Sequence, residues 1–232
     1  MQVVCITGVS RGIGLGFARA YLEQGDRVFG TVRRMDTQAV RELSEEYPDR
    51  FTPLVMDVTD RDSVREAAQR VQAESEHLDI LINNAGMSTK DNEQRLEDIS
   101  EDNIQRSLDI NTLGPLRCVQ EFFPLLRKSD DAKVVMISST AGSIERQGGG
   151  RVVPYCVSKA ALNMLSKLLY FHCEAEGVAL TALHPGWVRT DMGGPGGALS
   201  VQESVRSMMQ VIGSLTTESP VYMDYKGEEL PW

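Results

Sequence analysis

Short, β-branched apolar runs alternate with helix-length segments from one end of this chain to the other, and that alternation restricts the fold more than any single motif. Strands are expected at 3–7, 27–32, 51–56, 78–83, 134–138, 178–183 and 221–223. Between them the pattern predicts helices at 12–24, 36–47, 60–76, 100–126, 154–176 and 201–212, with Pro48 ending the second and Asp60 capping the third. The stretch 78–83 is almost continuously apolar, as a strand covered on both faces requires. Leu162, Leu165 and Leu169 put an apolar face of the fifth helix toward the core. The expectation is an α/β domain spanning 1–232, with a doubly wound, seven-stranded parallel sheet and right-handed crossovers. Such sheets bind ligands beyond the carboxyl ends of their strands, where every motif below falls.

Charge narrows the partners. Acidic residues outnumber basic ones, 33 to 24, and no long basic block occurs, which argues against a nucleic-acid or anionic-membrane surface. No apolar run approaches the roughly 20 residues that span a bilayer, and Met1 leads almost directly into a strand rather than a secretory leader. Cys5, Cys118, Cys156 and Cys173 are scattered in apolar or helical contexts. They are expected to be reduced thiols, and the protein cytoplasmic. His77 and His172 read as structural, His184 as packing at a strand end, and no cluster has metal-ligand spacing.

The join between first strand and first helix reads Thr7-Gly8-Val9-Ser10-Arg11-Gly12-Ile13-Gly14. Gly8 permits a tight turn, Gly12 lets backbone approach a pyrophosphate, and Gly14 lets helix and strand pack closely. The helix N-terminus then offers free N–H groups to phosphates. The second strand ends in Arg33-Arg34, where NAD-binding folds usually place an acid. With Arg11, these arginines suit a 2′-phosphate and favour NADP(H) over NAD(H). Asp36 is close enough to keep NAD(H) open, and Asp26 reads as a turn residue.

Tyr155 and Lys159 lie four residues apart on one helical face. A fixed ammonium beside a phenol is expected to bring its pKa down from about 10. Ser139 follows the fifth strand. A strand-end serine is more commonly a turn or cap residue, and Ser138 competes with it for any chemical role.

Taken in order, Thr7-Gly8…Gly12-Ile13-Gly14, Asp57-Val58, Asn83-Asn84-Ala85-Gly86, Asn111, Ser139, Tyr155…Lys159 and Pro185-Gly186…Thr190 make the chain resemble the short-chain dehydrogenase/reductase superfamily over essentially its whole length. Segments 184–194 and 224–232 resemble the C-factor/sniffer-like carbonyl reductases within it. The resemblance implies a Rossmann fold and an NADP(H)-dependent oxidoreductase acting on a small-molecule carbonyl or alcohol substrate. It places Asp57 and Val58 at the adenine, Asn83 and Gly86 behind the ribose, Ile137 and Thr190 around the nicotinamide, and Lys159 on the ribose hydroxyls. Ser10, Ile13, Ala85, Tyr155, Pro185, Gly186 and Val188 complete the cofactor set. Tyr155 would be the general acid/base, Ser139 a donor to the substrate oxygen, and Asn111 the holder of a water relaying protons to Lys159.

The spacing from Ser139 to Tyr155 is a few residues longer than the family's commonest, the excess being 147–151. The substrate pocket is expected from 87–96, 140–153 and 192–200, with Gly193, Gly194, Gly196 and Gly197 allowing the last to act as a lid. Self-association as a homodimer or homotetramer through the 100–126 helix or its neighbour is the family's implication. The rival function is an NADP(H)-binding sensor or signalling protein with vestigial catalysis, which the complete Asn111/Ser139/Tyr155/Lys159 set disfavours.

Overall fold

All seven strands run parallel in one sheet, in the order β3-β2-β1-β4-β5-β6-β7, in the computed structural model. They are β1 Val3–Thr7, β2 Arg27–Val32, β3 Phe51–Val55, β4 Ile80–Asn83, β5 Lys133–Ile137, β6 Ala179–His184 and β7 Tyr222–Asp224. Residues 1–89, 95–150 and 152–232 are described; 90–94 and Arg151, parts of two expected pocket segments, lie outside the described residues. Helices α1 Gly12–Glu23, α2 Gln38–Glu46, α3 Arg61–Glu74, α4 Glu101–Leu108, α5 Gly114–Leu126, α6 Val153–Glu174 and α7 Val201–Gly213 connect or flank the strands.

Side chains alternate across each strand, and here both faces are covered. Cys5, Phe29, Leu81, Val134 and Leu180 pack with α3, α5 and α6, through residues such as Val64, Phe122 and Leu162. Val4, Ile6, Val28, Ile82 and Val135 pack on the other face with Phe17, Leu22, Leu43, Met208 and Ile212 of α1, α2 and α7. The run of adjacent apolar residues in each strand follows from this double coverage. Leu162 is buried, while Leu165 and Leu169 are only partly covered. Asp60 caps α3 by accepting from the Asp62 N–H.

The expected helix 100–126 is interrupted. α4 and α5 are joined by a π-helical segment, Asp109–Leu113, in which the Gly114 N–H reaches back to the Asp109 carbonyl. Pro115 explains the break. It has no N–H to give the carbonyl of Asn111, its regular partner four residues earlier. Leading out from β1, the chain turns left along the sheet to β2 and β3 and right to β4 and beyond. The crevice between the carboxyl ends of β1 and β4 is therefore the topological switch point.

Candidate active site

The first wall of this crevice is the 7–14 turn, and its shape is set by side-chain hydrogen bonds from the end of β4. The Thr7 hydroxyl accepts from the N–H groups of Asn84 (2.9 Å) and Ala85 (2.8 Å), and Asn84 Nδ2 donates to the carbonyls of Thr7 (2.8 Å) and Gly8 (3.1 Å). Gly8 has φ +77°, a conformation other residues adopt only under strain. A Cβ on Gly14 would stand 2.3 Å from the Gly8 carbonyl oxygen and 2.4 Å from Asn84 Nδ2, so only glycine lets α1 sit this close. α1 begins without a side-chain cap and has no acid in its first turn. Its leading N–H groups are thus available to an anion, and the dipole favours one. Ile13 packs into the core beneath, and Ser10 is half-buried.

Across from the turn lies the segment after β6. The carbonyl of buried Pro185 accepts from Ser204 Oγ, Gly186 has φ +80°, and Val188 pairs with Leu199. Thr190 faces the Cβ position of Gly12 at 3.6 Å, and Arg11 reaches Asp191 at 3.1 Å. At the far end of the crevice Arg33 and Arg34 are exposed, Arg34 standing 3.6 Å from Asp36. Asp57 Oδ1 accepts from the Thr59 N–H (2.9 Å) and hydroxyl (2.7 Å). The carboxyl is held below its ordinary range, first by that N–H, against partial burial, with the charges of Arg33 and Arg117 contributing. The Val58 carbonyl accepts from Arg117, and Asp26 receives the Gln2 N–H as a turn residue.

The chemical groups gather at the ends of β4 and β5. Lys159 is buried, with Nζ donating to the Ile137 carbonyl at 2.7 Å and standing 5.7 Å from the centre of the Tyr155 ring. Asn111, in the π segment, accepts from the Met87 N–H and donates to the Met87 carbonyl (both 2.8 Å) and to Ser158 Oγ (2.9 Å). It thereby ties the chain beyond Gly86 to the α6 turn carrying Lys159. Ser138 and Ser139 are separated by their partners. Ser138 is buried and donates to Asn163, whereas half-buried Ser139 has its Oγ accepting from the Ala141 N–H at 3.1 Å and lies beside the Tyr155 phenol.

One expectation needs correction. Lys159 does not bring down the Tyr155 pKa. Burial pushes the phenol up to about 12, with the Ser139 hydrogen bond opposing it and Cys156 and Tyr222 adding to it. Burial likewise pushes the Lys159 ammonium down to about 8. The reason is geometric: Nζ is turned to the Ile137 carbonyl rather than to the phenol oxygen. The Asn83 side chain is buried at the end of β4 against Met136 Sδ, and Asn84 is the asparagine that shapes the turn.

His184 is neutral and structural, as expected. Burial pushes its pKa down to about 4, and Nδ1 accepts from the Thr140 N–H at 3.4 Å. Ser158 was legible only as a neighbour of motif residues, and Asn84 as part of its motif without a role of its own. Among the described residues no group of His, Cys, Asp and Glu could hold a metal ion.

Fold and site together define a doubly wound α/β protein with an anion-receptive turn at its switch point and a Ser–Tyr–Lys–Asn cluster beside it. The chain belongs to the short chain dehydrogenase family, whose sequence model matches residues 2–197. It is 41% identical to the C-signal of Myxococcus xanthus over 156 residues, 67% of this chain and 93% of that protein. Two solved structures align over the full length of both chains. One is the NADPH-bound carbonyl reductase from chicken fatty liver (TM-score 0.92, 33% identity), the other the carbonyl reductase Sniffer of D. melanogaster (TM-score 0.94, 29% identity).

Proposed function

We propose that the chain is an NADP(H)-dependent oxidoreductase that interconverts a small-molecule carbonyl compound and its alcohol, with residues 1–232 acting as one unit. The observation that carries this reading is the convergence of Ser139, Tyr155, Lys159 and Asn111 beside the uncapped N-terminus of α1. The crevice suits the cofactor: an open helix end without acids at one point, exposed Arg33 and Arg34 at another, and a turn that Gly14 lets α1 approach closely. The NADPH-bound carbonyl reductase with the same fold supports it.

When bound, NADP(H) supplies or takes up the hydride. The protein's own contribution is to hold and protonate. The α1 N–H groups would receive the pyrophosphate, Arg33 and Arg34 would hold the 2′-phosphate, and Thr190 and Ile137 would flank the nicotinamide end. Reduction builds negative charge on the carbonyl oxygen, and Ser139 Oγ donates a hydrogen bond there. Tyr155 gives that oxygen its proton, which it can do because the phenol remains protonated across neutral pH. Lys159, its Nζ anchored on the Ile137 carbonyl at 2.7 Å, would hold the ribose hydroxyls. Asn111 orders the segment between them through Met87 and Ser158, and would hold the water that relays protons to Lys159.

The test is NADPH consumption over a panel of aldehydes, ketones and quinones, wild type against Tyr155→Phe. Turnover lost in the variant, with NADPH binding retained, supports the assignment. Turnover indifferent to the substitution refutes it. A second reading, a cofactor-binding signalling protein, is favoured by the likeness to C-signal. NADPH binding without turnover on any substrate would support that one instead.

Self-association through α6 belongs to the same proposal. Val157, Met164, Leu168 and Phe171 are all exposed, at spacings of seven, four and three that put them on one face. A continuous apolar stripe of this kind suits a second copy of the chain, giving a homodimer. Cytoplasmic residence is supported by the four cysteines, none of which forms a disulfide, three of them being buried.

A further inference from the structure

The turn that carries Ser139 is held from an unexpected direction. Ser139 is extended (φ −162°, ψ 149°) and opens the 3-10 turn Thr140–Gly142. Its carbonyl accepts from the Gly142 N–H at 2.9 Å and also from the hydroxyl of Tyr222 at 2.8 Å. Tyr222 lies on β7, the edge strand, 83 residues away in sequence and two strands from β5. Two strand spacings amount to about 9.5 Å, a gap that only a long side chain aimed along the strand ends can bridge. The phenol is fully buried, and the Asn163 side chain that receives Ser138 lies beside it.

The other side of the ring is covered by Trp232, with ring centres 5.3 Å apart. The Trp232 carbonyl in turn accepts from the Glu145 N–H at 2.9 Å, so the same C-terminal residue secures both the tyrosine and the loop after the turn. Both lone-pair directions of the Ser139 carbonyl are occupied, which fixes the peptide plane and with it the place of Cβ, while Oγ accepts from the Ala141 N–H at 3.1 Å within the same turn.

We propose that Tyr222 is a positioning residue for Ser139, holding the serine's carbonyl from the edge strand so that Oγ points at the substrate oxygen. This rests on the reading of Ser139 as a donor to that oxygen. Tyr222 touches neither substrate nor cofactor; it acts through the serine.

A double-mutant cycle tests it. Tyr222→Phe keeps the ring and the packing but removes the hydroxyl. The net worth of one hydrogen bond corresponds to roughly a two- to tenfold effect, which is expected in kcat with KM for NADPH unchanged. In a Ser139→Ala background the same substitution is expected to lower kcat no further. Amide hydrogen exchange over 139–143 should quicken in Tyr222→Phe, while β1 and α1 stay protected. Trp232→Leu, which uncovers the phenol without touching the serine, should show a smaller loss that is again absent in Ser139→Ala. A Tyr222→Phe loss of equal size in both backgrounds, or no loss in either, overturns the positioning role alone. Full activity of Ser139→Ala instead overturns the role of the serine, and this proposal with it.

Discussion

Gly14 offers the sharpest stability test, because the structure states how far the chain must move. A Cβ there would lie 2.3 Å from the Gly8 carbonyl oxygen and 2.4 Å from Asn84 Nδ2. Ordinary contact begins near 3.4 Å, so the methyl and its neighbours must part by about 1 Å. Neither neighbour can yield cheaply. Gly8 is backbone at positive φ, and Asn84 is held by its hydrogen bonds to Thr7 and Gly8. Overpacking of this kind costs about 1–3 kcal/mol. For a chain of this size that converts to roughly 2–12 °C in Tm. Gly14→Ala should therefore lower Tm within that range and weaken NADPH binding, since α1 is displaced from the turn that would receive the phosphates. Gly213→Ala is the control: nothing lies within 4 Å of its Cβ position at the end of α7, and stability should hold or rise slightly. Thermal unfolding and a fluorescence titration with NADPH measure both effects. A Gly14→Ala protein with the wild-type Tm and NADPH affinity would refute the packing argument.

Three further outcomes are expected. The folded protein lowers the Lys159 pKa to about 8 from 10.5, so between those values the unfolded chain binds more protons and stability should rise with pH, by on the order of 3 kcal/mol in all. Tyr155 works oppositely, its raised pKa costing stability from about pH 10 to 12; denaturant melts of wild type against Lys159→Met should converge as pH rises from 8 to 10, and parallel curves would count against a buried ammonium. Arg33→Ala should lower the NADPH-over-NADH preference by roughly ten- to a hundredfold, the worth of a charge-assisted hydrogen bond, measured as the ratio of kcat/KM values, and an unchanged ratio would remove Arg33 from the clamp. Met164→Asp with Phe171→Asp should convert a dimer to a monomer by light scattering after size exclusion, while a dimer that persists would place the interface elsewhere.

Most of the fold was legible because the two periodicities are physically distinct and the chain respects both. β1 and β2 match the expected spans, and the other strands differ by one or two residues at their ends, where fraying and caps decide the boundary. The 100–126 helix was misread because its apolar pattern continues through the π segment. The signal was Gly114-Pro115, since a proline at that point removes the N–H that Asn111 would have received. The grouping of Ser139, Tyr155, Lys159 and Asn111 was legible from motif order. Their electrostatics were not: spacing on a helix puts Lys159 on the face of Tyr155, but only coordinates show Nζ turned to the Ile137 carbonyl. Likewise, no sequence separation or motif links Tyr222 to Ser139. That contact depends on strand order, which places β7 beside β6 and within reach of β5.

The central claim is that this crevice moves a hydride and that Tyr155 delivers the accompanying proton. It is tested most directly by presenting NADPH carrying deuterium at both C4 positions of the nicotinamide together with a carbonyl substrate found in the panel. The product is then read by mass spectrometry, wild type beside Tyr155→Phe. The account predicts one deuterium on the new carbinol carbon, formed rapidly by wild type and at a rate lower by orders of magnitude in the variant. Unlabelled product, or label transferred equally fast without the phenol, would contradict it.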